Sequence, residues 1–104
     1  MVSKEEILGK LSQVMDPELG INIVDLGLVY EVGIKKKEKG RNQQAYVRMT
    51  FTTPACPMMN EMISQMKQKL DEIPGTDIEV SIVFDPPWTP ERLSQKAKIK
   101  LGII

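Results

Sequence analysis

The sequence predicts an α+β fold in two layers, in the order helix-strand-strand-helix-strand-helix, with a three-stranded mixed sheet covered by helices on one face. Three observations carry this. Apolar residues recur at helical spacing in three segments, alternate with period two in three others, and each alternating run has one apolar and one mostly polar side. A sheet with one polar side keeps that side wet and sends all its helices to the other.

The first helix is expected over residues 4–15. Ser3 and Glu6 have the spacing of a capping box, and Ile7, Leu8, Leu11, Val14 and Met15 share one face. Asp16-Pro17 stops it, because the residue before proline is pushed out of the helical region, and "DPELGIN" reads as a loop. From Leu28, alternation of Leu28, Tyr30, Val32 and Ile34 with Val29, Glu31, Gly33 and Lys35 makes the first strand. The lysine-rich "KKKEKGRNQQ" is read as a solvated connection, and not as a binding patch, to a second strand with Ala45, Val47, Met49 and Phe51 on its apolar side. A long-looped antiparallel hairpin is the simplest arrangement of the pair.

The second helix is expected over about 57–72, with Met59, Met62, Ile63, Met66 and Leu70 as its core stripe and "IPG" as its stop. Ile78, Val80, Ile82 and Phe84 then alternate as a third strand ending in "DPPW". A last helix is expected from Pro90, capped by Thr89, with Glu91 near its positive end and Leu93, Ala97 and Leu101 as a narrow apolar stripe. Nothing in the 104 residues reads as a linker or repeat, so one domain over 1–104 is expected.

Composition restricts function. Fourteen basic and fourteen acidic side chains cancel, so no general field draws nucleic acid or an anionic membrane. A KH-like RNA-binding reading, which the mixture of elements would allow, also lacks a GxxG loop. The opening "MVSKEEILGK" does not have the character of a signal peptide and no apolar run approaches the ~20 residues of a membrane span, so a cytoplasmic protein is expected. The absence of histidine removes Ser-His-Asp and Cys-His catalysis and the usual Cys/His zinc sites. A thiol enzyme would also want a resolving cysteine, and Cys56 is the sole cysteine.

Cys56 nevertheless sits where a cysteine is reactive. It falls at or beside the N-cap of the second predicted helix, with Pro57 suited to the first helical position. The positive end of the helix dipole favours thiolate, the form that binds soft metals, and Pro54 and Pro57 stiffen the loop around it. Against this stands the ordinary role of a lone cysteine as buried packing. Met59, Met62 and Met66 are read as core, whereas Met58 lies off the stripe and is the better contact for a partner. Trp88 is read as a plug over the core edge in preference to an exposed docking residue. Asp16, Glu18 and Asp25 serve ordinary turns, or else their loop reaches the end of the second strand and sets carboxylates near Cys56.

Taken together, "DPELGINIVDLGLVYEV", "MTFTTPACPMM" and "VFDPPWTPERLSQKAKIKLG" resemble the SufT and PaaD-like family of metal-sulfur cluster assembly proteins, in the family's order and over nearly the whole chain. The resemblance implies a fold similar to the C-terminal domain of NifU-type scaffolds. It implies a non-catalytic accessory factor that helps insert or deliver iron-sulfur clusters, with client apoproteins and cluster scaffold proteins as partners. Carried onto this chain, the family's functional cluster falls on Asp16, Glu18, Leu19, Asp25, Thr52, Thr53 and Cys56, with Arg92 and Ser94 as weaker members. Cys56 would be the transient ligand of iron or an iron-sulfur cluster. The extra C-terminal cysteines of the PaaD type are absent here, so no zinc-bearing tail is implied. A cluster commonly takes about four protein ligands, and one thiolate per chain leaves the rest to a homodimer, small thiols, carboxylates or a client's own cysteines. The second reading, from another class, is an adaptor that joins scaffold to client through the wet sheet face, Met58 or Trp88 without binding metal.

Overall fold

The structure is a computed structural model that describes residues 2–36, 38–52 and 59–102. Helix α1 spans Lys4–Leu11, and Ser3 Oγ accepts from the Glu6 amide at 3.1 Å, so the predicted cap is formed. Ile7 and Leu11 are fully buried.

The helix is shorter than its apolar spacing implies. Ser12 closes it, Val14 bonds back only to Leu11, and the chain enters a two-residue strand β1, Met15–Asp16. β1 pairs antiparallel with β2, Ile21–Asn22, so "DPELGIN" is a small hairpin and not only a loop. Proline at 17 bars Asp16 from helical backbone, and the ladder takes the groups thereby freed. Met15, expected on the core face, is therefore 43 % exposed.

Strands β3, Val29–Ile34, and β4, Gln43–Met49, form the expected antiparallel hairpin, with a register shift between Val29 and Glu31. Helix α2, Met59–Leu70, crosses over to β5, Thr76–Ile82, which pairs parallel to β4. The sheet order is β3-β4-β5, and it is mixed, as predicted. Val32, Ala45, Val47 and Met49 are buried on one side, while Glu31 and Arg48 pair at 2.6 Å on the other. Met62, Met66 and Leu70 of α2 are buried and Met59 packs partly against the same core, so these methionines are core residues. The first two residues expected in the helix, Pro57 and Met58, lie outside the described residues.

Lys10 of α1 and Glu72 beyond α2 join at 2.7 Å. The Lys10 hydrogen bond and charge, with a further contribution from Lys69, hold the Glu72 carboxyl below the ordinary carboxylate range. A depressed folded pKa stabilises above the unfolded value and ceases to do so as pH falls through the folded one. Wild type is therefore expected to exceed Glu72→Gln slightly in Tm at neutral pH and to lose that advantage as the pH is lowered through the depressed folded pKa, read by thermal unfolding across an acid pH series.

Two expectations near the C-terminus need correction. β5 ends at Ile82, and Phe84 is 39 % exposed, because the last ladder bond, Val83 N–H to the Met49 carbonyl at 2.8 Å, precedes the prolines. The last helix is broken in two. A 3₁₀ turn, Pro90–Arg92, follows Thr89, whose side chain makes no cap bond, and helix α3, Gln95–Lys100, is capped by Ser94 Oγ accepting from Ala97 at 3.1 Å. Leu93 adopts extended backbone at the break and buries with Ala97, which leaves Leu101 37 % exposed. Ser94→Ala is expected to cost about 1 kcal/mol and Thr89→Ala almost nothing, measured by denaturant unfolding.

Candidate functional site

The acidic loop between α1 and β3 is held by two side-chain clamps. Asp16 Oδ1 accepts from the amides of Glu18 at 2.8 Å and Leu19 at 3.1 Å, and the Gly20 amide reaches the Asp16 carbonyl at 2.8 Å. Glu18 and Leu19 stand exposed at the hairpin tip. Asn22 Oδ1 accepts from Val24 at 3.0 Å and Asp25 at 2.9 Å, while Asn22 Nδ2 donates to Asp25 Oδ2 at 2.8 Å. Both aspartates thus organise local turns, with one carboxylate oxygen each engaged.

The C-terminal motif packs directly on this loop. Trp88 Nε1 donates to the Leu26 carbonyl at 2.7 Å and the half-buried indole packs against the core, so Trp88 is a plug. The Ser94 amide donates to the Asp25 carbonyl at 2.8 Å. Arg92 lies 4.2 Å over the Tyr30 ring, and its backbone presses on Gly27, which has φ 76°. Asp25 also lines a cleft with Met15, Asn22, Lys96 and Lys100, and Lys100 Nζ donates to the Gly20 carbonyl. Asp25, Arg92 and Ser94 are therefore neighbours, although some seventy residues separate them in sequence.

The same loop reaches the end of β4. The Thr50 amide donates to the Leu28 carbonyl at 2.8 Å, Thr50 and Phe51 are buried, and Thr52 is exposed just beyond. Thr53 and Cys56 lie outside the described residues, between Thr52 and the start of α2 at Met59. Among the described residues no three His, Cys, Asp or Glu side chains cluster as a metal-holding group. No helix among them is long and apolar enough to cross a membrane.

The sequence reading did not single out Asn22 or Gly27. The first has a legible signal in the Asn-x-x-Asp spacing of an Asx-type turn, and the second in the "DLGL" glycine, which a close backbone approach requires.

Residues 4–82 match the family model described as "Iron-sulfur cluster assembly protein". The chain belongs to that family. This assembly-family domain is 44 % identical over 101 residues to a Bacillus subtilis protein named Fe-S protein maturation auxiliary factor YitW, covering 96 % of this chain and 94 % of that one. It is 48 % identical to the Staphylococcus aureus Fe-S protein maturation auxiliary factor SufT, over 86 % of this chain and 98 % of the relative. Among solved structures, a domain of unknown function, DUF59, from Bacillus anthracis superposes with a TM-score of 0.81 at 42 % identity, covering 97 % and 92 % of the two chains. The family resemblance drawn from the three sequence motifs and the α+β fold expected from periodicity both hold. The family match ends at Ile82, so the C-terminal motif that packs on the acidic loop lies beyond it.

Proposed function

We propose that this protein is a non-catalytic accessory factor in iron-sulfur cluster assembly, acting in the cytoplasm, and that the Cys56 thiolate transiently ligates iron or a cluster on its way to a client apoprotein. The reading is supported by two relatives named Fe-S protein maturation auxiliary factors, which align over most of this chain. The observation that carries the site is the Thr50 amide bonded to the Leu28 carbonyl, because it joins the acidic loop to the strand that runs into "TTPACP". In this account Thr52 and Thr53 donate hydrogen bonds to the bound group. Asp16 and Asp25 keep one oxygen each outside their turns, and Glu18 and Leu19 form the rim that a partner meets. Arg92 and Ser94 act as positioning residues, through Tyr30 and the Asp25 carbonyl.

The cluster is cargo, and its remaining ligands come from a small thiol, a second copy or the client. Anaerobic addition of ferrous iron, sulfide and a small thiol should produce sulfur-to-iron charge-transfer absorption in wild type and none in Cys56→Ser. Equal absorption in both would remove Cys56 as the ligand. The adaptor reading then takes over, with Met58 and the wet sheet face as its contacts, since the Trp88 indole is committed to the Leu26 carbonyl.

A further inference from the structure

The two edges of the sheet are protected very unequally. β3 carries a register shift, runs into Lys35 and Lys36, and shares a cleft with Lys4 and Leu8 of α1. These are the usual devices that keep an edge from pairing. β5 is guarded only by charge: its register on β4 is uninterrupted from Thr76 to Ile82, it contains neither proline nor lysine, and its charged residues are the two carboxylates Asp77 and Glu79.

The ladder fixes which backbone groups are free. The Gln43 amide bonds the Gly75 carbonyl and the Val83 amide bonds the Met49 carbonyl, so the odd-numbered residues of β5 pair inward. The amides and carbonyls of Thr76, Ile78, Val80 and Ile82 point away from β4, and no described residue pairs with them. Ile78, Val80 and Ile82 remain only partly buried, whereas the corresponding residues of β4 are fully buried. On the opposite face Asp77 and Glu79 are exposed; Asp77 accepts from the Asn42 and Gln44 side-chain amides at 3.4 and 3.1 Å, and neither carboxylate has a cationic partner among the described residues.

We infer that the outer edge of β5 docks an extended segment of a partner protein, which adds as a fourth strand with apolar residues toward Ile78 and Val80 and Lys or Arg opposite Asp77 and Glu79. Backbone bonds supply the attachment, and the acidic pair selects a basic strand. A second copy is a poor occupant, because β5 against β5 sets the two carboxylate rows on one face with no cation between them.

The test uses the full chain, isotopically labelled, with an acetylated and amidated peptide of alternating lysine and valine as probe. At saturation the Ile78, Val80 and Ile82 amides should exchange at least about tenfold more slowly, with little change at Asp77, Glu79 and Ser81, which already face β4. A peptide with glutamate replacing lysine should give no protection, and Glu79→Lys should weaken the lysine peptide about tenfold. Glu79→Lys should leave iron and sulfide reconstitution unchanged, so loss of docking and loss of thiolate function are read separately. The inference is overturned by equal binding of the acidic peptide, by shifts mapping elsewhere, by an unaffected Glu79→Lys, or by a concentration-dependent dimer that protects these amides without peptide.

Discussion

Replacing Cys56 with serine is expected to reduce maturation of iron-sulfur client enzymes to the level of cells lacking the protein, while the purified variant keeps the wild-type unfolding midpoint. A hydroxyl stays protonated at neutral pH and is a poor ligand for soft metals, so serine preserves size and removes the chemistry. No other cysteine and no histidine in the chain can substitute for it. Asp25→Asn keeps an acceptor for Asn22 while removing a carboxylate charge, and under the proposed thiolate function it should give a partial effect, weakening iron binding by about tenfold. The check is the activity of a cluster-dependent enzyme in cells complemented with each variant, normalised to protein level. Full activity with Cys56→Ser would transfer the role to surface contacts.

Gly27→Ala is expected to be the most destabilising single-methyl change in the acidic loop, at about 2–4 kcal/mol, which lowers Tm by more than about 10 °C in a domain of this size. Two costs combine. At φ 76° an L side chain is strained, and its Cβ would lie 2.2 Å from the Arg92 carbonyl oxygen and 2.6 Å from the Arg92 Cβ. Backbone has to give, and the backbone in question carries the Arg92 stack on Tyr30 and lies two residues before the Ser94 bond to Asp25. Gly20→Ala separates strain from clash, because φ is 66° there but the nearest atom is the flexible Lys100 Nζ at 3.6 Å. Its cost should be about 1 kcal/mol. Thermal and denaturant unfolding of the two variants measure the difference.

What was legible in the sequence was what local pattern dictates. The three strands, the mixed character of their sheet, the Ser3 cap and the buried methionines of α2 all follow from spacing and short-range chemistry. The failures lie where tertiary contact overrides that pattern. Leu93 sits at helical spacing from Ala97, yet its neighbour Ser94 is claimed by the Asp25 carbonyl, and the helix must restart. Met15 has the right spacing for the α1 stripe, but Pro17 turns the chain into a ladder first. Of the site, the motifs were visible and their assembly was not. Nothing in the spacing says that residues 88–94 will sit on residues 25–30, since that contact rests on an indole hydrogen bond and a glycine with room for a backbone.

The most direct test of the thiolate account is the pH dependence of Cys56 alkylation in the folded protein, compared with the same chain in denaturant and repeated with ferrous iron present. The account predicts rapid alkylation with an apparent pKa well below the ~8.5 of a free thiol, and slowing by iron. A thiol that stays inert until the chain unfolds, or that titrates as it does in denaturant and ignores iron, would contradict it.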